Sequence, residues 1–141
     1  MSALSIRNQL PGTVTEITDG AVMATVKVRL SGGQEVTAAI TLDAVKDLGL
    51  AAGSPVQALA KSTEIALATA PVSGLSIRNQ LPGTVASVAT GGAMATVKLT
   101  IDGGGDLTAA VTAEAVTELG LATGSPVVAL IKSTELALSA G

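Results

Sequence analysis

The chain is 141 residues long with a formal net charge of -3 and a pI near 4.7; 48% of its residues are apolar, 13% are charged, and it contains no His, Cys, Phe, Trp or Tyr. Without imidazole or thiolate there is no usual ligand set for a zinc, copper or iron-sulfur centre, no imidazole base and no thiol nucleophile, so a bare metal cation has little to hold it. An acidic chain with no aromatic platform is poorly suited to nucleic acid, and Gly, Pro and charged residues interrupt every apolar run before the roughly 20 residues that a membrane span requires.

In chain order, Leu4 and Ile6 alternate with Ser5 and Arg7, which predicts a short first strand with two donors together on its polar face. Thr13 to Thr18 has the β-branched content of another strand, bounded by Pro11-Gly12 and Asp19-Gly20. From Val22 to Leu30 the positions Val22, Ala24, Val26, Val28 and Leu30 are apolar, while Met23, Thr25, Lys27 and Arg29 alternate with them; this is the period of a half-buried strand. Ser31-Gly32-Gly33-Gln34 then reads as a hairpin turn and Glu35 to Ile40 as the return strand. Thr41 to Gly49 predicts one short helix, with Thr41 as N-cap, Asp43 at the positive end of the dipole and Gly49 at the stop. Val56 to Lys61 and Ile65 to Ala68 add two more strands.

The whole series then repeats. Leu4 to Thr69 aligns with Leu75 to Ala140 without a gap, and most aligned positions are identical, which makes the chain a tandem duplication. Ala70-Pro71-Val72-Ser73-Gly74 falls between the copies as an uncharged linker, giving one domain over 1–70 and a second over 71–141. The second helix is expected at Thr112 to Gly120, and Val127 to Ile131, apolar on both faces, fits a strand buried between modules. Five or six short strands and one small helix in so short a module predict an all-β fold of tandem OB-like Greek-key barrels. A core limited to Val, Ile, Leu and Ala, with no disulfide or structural metal, points to further association with other copies of the chain.

Two polar clusters stand out from this apolar material. Ser5 and Arg7 share one strand face, and Lys61-Ser62-Thr63, repeated as Lys132-Ser133-Thr134, follows another strand. Guanidinium, ammonium, hydroxyls and the free N–H groups at strand ends supply donors with few competing acceptors, which suits an oxyanion. Arg7, Asn8, Lys61 and Ser62 are retained in the second copy, whereas Glu16, Asp19, Arg29 and Lys46 become Ser87, Thr90, Thr100 and Thr117. The bland reading is that such cations are solvated edge residues that discourage aggregation. Asp19-Gly20-Ala21-Val22, matched by Thr90-Gly91-Gly92-Ala93, is a second place where backbone N–H groups could meet an anion or simply form a turn.

The ordered set "LSIRNQLPGTV", "GAVMATVKV", "TLDAVKDLGLAAG" and "ALAKSTEIAL" resembles the Mop domain of the molbindins, and two copies make the chain similar to the di-Mop members, which are cytoplasmic molybdate-binding proteins. The resemblance implies an OB-like barrel, a homotrimer of two-module chains, and molybdate or tungstate bound as an oxyanion at interfaces between modules. It places the oxyanion-binding element on Ser5, Ile6, Arg7 and Asn8 and on Ser76, Ile77, Arg78 and Asn79, met from a neighbouring module by Lys61 and Ser62 or Lys132 and Ser133. A further oxyanion site near the threefold axis falls on Gly20, Ala21 and Val22; its second half, Gly91, Gly92 and Ala93, departs from the Gly-Ala-Val pattern.

The function expected is therefore binding, storage and homeostasis of molybdate, with no organic cofactor. The alternative is a structural or partner-binding oligomeric module that uses the same barrel without ligand. An enzyme is disfavoured because no nucleophile and base pair is visible. The lack of a basic-then-apolar leader points to the cytoplasm, and two modules leave no room for a helix-turn-helix or a nucleotide-binding loop.

Overall fold

The computed structural model describes residues 4–141, so the first three residues of the module expected over 1–70 lie outside the described residues. The first half of the chain carries β1 (Asn8–Asp19), β2 (Met23–Leu30), β3 (Glu35–Thr41), α1 (Leu42–Asp47), β4 (Pro55–Ala60) and β5 (Ala66–Ala68). The second half repeats them as β6 (Asn79–Thr90), β7 (Met94–Ile101), β8 (Asp106–Thr112), α2 (Ala113–Leu119), β9 (Pro126–Ile131) and β10 (Ala137–Ala140). A single 3-10 turn, Ser62–Glu64 or Ser133–Glu135, links the last two strands of each half. Among the described residues no helix is long and apolar enough to cross a membrane.

The strands form two antiparallel sheets, ordered β10-β4-β1-β2-β3 and β5-β9-β6-β7-β8, which is the all-β architecture of tandem OB-like barrels. Their edges are exchanged. β5 leaves its own half and pairs with β9 from Ala66↔Leu130 to Ala68↔Val128, while β10 returns to β4 from Ala137↔Leu59 to Ala140↔Val56. Each final strand therefore completes the other half's sheet and removes an exposed edge. This is why Val127 to Ile131 is apolar on both faces: all five residues are buried.

Period-2 patterning appears where expected in β2, whose Ala24, Val26, Val28 and Leu30 are buried while Met23, Thr25, Lys27 and Arg29 face out. Two expectations change here. Val22 is 75% exposed, because β2 begins only at Met23 and the preceding turn carries Val22 outward. Leu4 to Arg7 form no strand: Leu4 is 38% exposed and the ladder starts at Asn8.

Pro11-Gly12 does not bound a strand either, since β1 runs through it in register with both neighbours, Pro11↔Gln57 and Gly12↔Leu30. Gly12 permits this passage. A Cβ at that position would lie 2.6 Å from the Arg29 carbonyl oxygen and 2.7 Å from Val28 Cγ1, so only glycine lets β1 and β2 approach this closely. A bulge between Val14 and Glu16 then re-aims the strand.

The helices follow their caps. Thr41 Oγ1 accepts from the Ala44 N–H at 3.1 Å and Thr112 Oγ1 from the Ala115 N–H at 3.1 Å. One continuous core of Val, Leu, Ile and Ala runs through both halves, from Leu10, Val14 and Val26 to Val97, Leu99 and Ile131.

Candidate functional site

The last paired residues of β1 and β4 are Asn8 and Ala60. Arg7 and Lys61 are the next residues beyond this pair, so both cations lie just past the end of the ladder. Ser5, Ile6, Arg7, Lys61, Ser62 and Thr63 line one cavity of about 280 Å³ at this point, and no carboxylate is among its lining residues.

The Arg7 guanidinium is held from behind. Its Nε donates to the Ser5 carbonyl at 3.2 Å and Nη2 to the Leu4 carbonyl at 2.7 Å; of the five guanidinium N–H groups, about three then remain for a ligand. The Ser62 hydroxyl is buried with no hydrogen-bond partner among the described residues. A buried hydroxyl without a partner costs free energy, and a group entering the adjacent cavity is what can satisfy it after a small side-chain rotation. Cationic and hydroxyl donors line this cavity without a carboxylate, although Lys61 also borders a neighbouring cavity that Glu64 and Glu135 line. The arrangement can bind an anion that carries only acceptor oxygens.

The second half repeats the framework, with Asn79↔Ile131 ending the β6–β9 ladder immediately before Arg78 and Lys132. Ser76 and Arg78 are exposed, Ile77 and Ser133 half-buried, as their counterparts Ser5, Arg7, Ile6 and Ser62 are.

Lys61 and Ser62 share a cavity with the Ser5–Arg7 segment of their own half. One expected feature differs. Asn8 and Asn79 are each 3% exposed and their side-chain amides point away from a ligand role. Asn8 Nδ2 donates to the carbonyls of Ala60 at 3.0 Å and Thr108 at 2.9 Å, and Oδ1 accepts from the Thr108 N–H at 2.8 Å. Asn79 does the same with Ile131 at 3.0 Å, Thr37 O at 2.9 Å and Thr37 N at 2.8 Å. Both amide protons are spent, so neither side chain has a donor left for an anion.

The Gly20-Ala21-Val22 turn lies at the surface after β1. Gly20 N donates to Met23 O at 2.7 Å and Val22 O accepts from Leu42 N at 2.9 Å. Gly91-Gly92-Ala93 keeps both bonds, to Met94 O at 2.8 Å and from Ala113 N at 2.8 Å, so its altered sequence leaves the turn unchanged. A feature that sequence reading missed is Gln34, whose Nε2 reaches across to the carbonyls of Asp102 and Gly104 and staples one hairpin tip to the other. Its counterpart is Gly105, so the duplication carried no signal for it.

The TOBE domain model matches residues 4–67 and again residues 75–138. The chain is 39% identical over 130 residues to the molybdenum transport protein ModE of Herbaspirillum seropedicae, covering 92% of this chain and 48% of that protein. It is 41% identical over 63 residues to molybdenum-pterin-binding protein 3 of Clostridium pasteurianum, covering 45% of this chain and 93% of that protein. A solved structure of the cytoplasmic molybdate-binding protein ModG with molybdate bound is similar with a TM-score of 0.95 at 42% identity, covering 99% of this chain and 100% of that one. The chain spans about half the length of the ModE and MopA relatives that it matches.

Proposed function

The chain belongs to the TOBE domain family, with two copies of the domain in tandem, and from that premise we propose that it binds molybdate in the donor cavities where the β1–β4 and β6–β9 ladders end. One observation carries the reading: Arg7, Lys61, Ser5 and Ser62 surround a single cavity whose lining residues include no carboxylate. The likeness to ModG, a protein solved with molybdate bound, supports the same ligand.

The chemistry is selective in a simple way. Molybdate at neutral pH is a tetrahedral dianion with acceptor oxygens only, so a pocket of donors satisfies it completely. Protonated phosphate would bring an O–H with no acceptor to receive it, and sulfate, smaller at the same charge, would be held loosely. Molybdenum enters as its oxyanion, which is how a chain without His or Cys handles the metal.

Ser5, Arg7, Lys61 and Ser62 are the ligand residues of the first half, and Ser76, Arg78, Lys132 and Ser133 those of the second. Ile6 and Ile77 contribute backbone and apolar wall. The turns at Gly20, Ala21 and Val22 and at Gly91, Gly92 and Ala93 form the threefold-axis site of a homotrimer; support comes from the exposure of Val22, Met23 at 44% and Met94 at 47%, apolar surface that a partner copy would cover. The role is storage and homeostasis of the oxyanion in the cytoplasm, without catalysis. Tungstate fits the same donors.

Calorimetry with sodium molybdate, tungstate and sulfate tests this reading. Saturable heat for the first two and little for sulfate is expected; equal or absent heats for all three contradict it.

A further inference from the structure

The two buried asparagines connect three pieces of chain around the Arg7–Lys61 cavity and around the equivalent Arg78 and Lys132 segments. Asn8 directly follows Arg7, and its amide holds the carbonyl of Ala60, the residue directly before Lys61 and Ser62. The same amide exchanges two hydrogen bonds with Thr108 on β8 of the opposite half, and β8 packs on the Ser62–Glu64 turn. Asn79 repeats this with Ile131, which precedes Lys132, and with Thr37 on β3, which packs on the Ser133–Glu135 turn.

We propose that Asn8 and Asn79 are positioning residues that make the geometry of each oxyanion cavity depend on the docking of the opposite half of the chain. The inference rests on the molybdate reading above. No other side chain serves this position as well. Aspartate would turn a carboxylate oxygen toward two carbonyl oxygens, and alanine would remove a partner from the buried Ala60 carbonyl and from the half-buried Thr108 N–H and carbonyl. The asparagines act through others: they hold Arg7 and Lys61 at their spacing and touch no anion themselves.

The test is calorimetry with sodium molybdate on the full chain as wild type, Asn8→Ala and Val26→Ala, the last a fully buried core change outside the cavity. Asn8→Ala is expected to raise Kd for one class of site by about tenfold, within the usual range of coupling between sites, while Val26→Ala lowers the melting temperature and leaves Kd unchanged. A folded Asn8→Ala protein with wild-type Kd overturns the positioning role and leaves the molybdate reading standing. Absence of heat from wild type overturns both. Where Asn8→Ala does not fold, nitrogen NMR of wild-type side chains decides: on saturation with molybdate the Arg7 Nε resonance is expected to move and the Asn8 and Asn79 Nδ2 resonances to stay protected from exchange. Asparagine Nδ2 groups that move with the anion as far as Arg7 does would show direct ligation and overturn the proposal.

Discussion

Asn79 and Thr37 exchange two hydrogen bonds, side-chain Nδ2 to Thr37 O at 2.9 Å and Thr37 N to Oδ1 at 2.8 Å, so that one amide side chain imitates a strand neighbour across the seam between the halves. Asn79→Ala removes that imitation and also the bond to Ile131 O. Leaving buried backbone groups unpaired costs about 1–3 kcal/mol each, less whatever water can replace, so a loss of about 2–4 kcal/mol is expected from urea unfolding. A loss below about 1 kcal/mol, no more than one ordinary hydrogen bond, contradicts the burial of this seam.

The exchanged edge strands make a second expectation. β5 is paired with β9 and β10 with β4, so the linker over residues 70–74 is a connection and not what keeps the halves together. A protease site inserted into this exposed segment and cleaved to completion is expected to yield two fragments that co-elute under native conditions and separate only in denaturant. Native separation of the fragments would refute the exchange.

Gly12 offers a purely steric test. Its backbone is not in the left-handed region, so Gly12→Ala adds no torsional strain, only a Cβ 2.6 Å from the Arg29 carbonyl. Forcing β1 and β2 apart is expected to cost about 1–3 kcal/mol, seen as a lower melting temperature. An unchanged or higher melting temperature would show that the two strands are not this close.

Much of this fold was legible because its determinants are local. The alternation of Ala24, Val26, Val28 and Leu30, the Thr41 and Thr112 caps and the two-sided apolar run over Val127 to Ile131 each depend on neighbours in sequence. The destination of β5 was not legible, because duplication makes β4 and β9 nearly the same partner in sequence and only the three-dimensional path distinguishes them. The continuity of β1 through Pro11 was hidden as well: its carbonyl accepts from the Ser31 N–H at 3.0 Å, a contact across the sheet that a local breaker rule ignores. At the site, Lys61 and Ser62 could be read from their position after a strand, whereas the alternation of Leu4 to Arg7 predicted a strand that does not form, although Ser5 and Arg7 still line one cavity. Asn8 beside Arg7 looked like another donor for the anion; its true partners, Ala60 and Thr108, are far along the chain and belong to the backbone, which carries no identity to read.

Arg7 and Arg78 are exposed side chains, so the double change Arg7→Ala with Arg78→Ala is expected to alter folding stability by no more than about 0.5 kcal/mol. Each loss of a charge-assisted hydrogen bond to a dianion is worth about 1.5–3 kcal/mol, so molybdate Kd is expected to rise by at least about tenfold. Parallel melting and calorimetry check the split. Binding that survives both substitutions unaltered removes the arginines from the site.

The most direct measurement is X-ray diffraction from crystals of the protein grown with sodium molybdate, with data collected at the molybdenum absorption edge. The account predicts anomalous density between the Arg7 guanidinium and the Lys61 ammonium, with Ser5 and Ser62 around it, and the equivalent peak between Arg78 and Lys132. Molybdenum found elsewhere, with those cationic tips pointing apart into solvent, would contradict it.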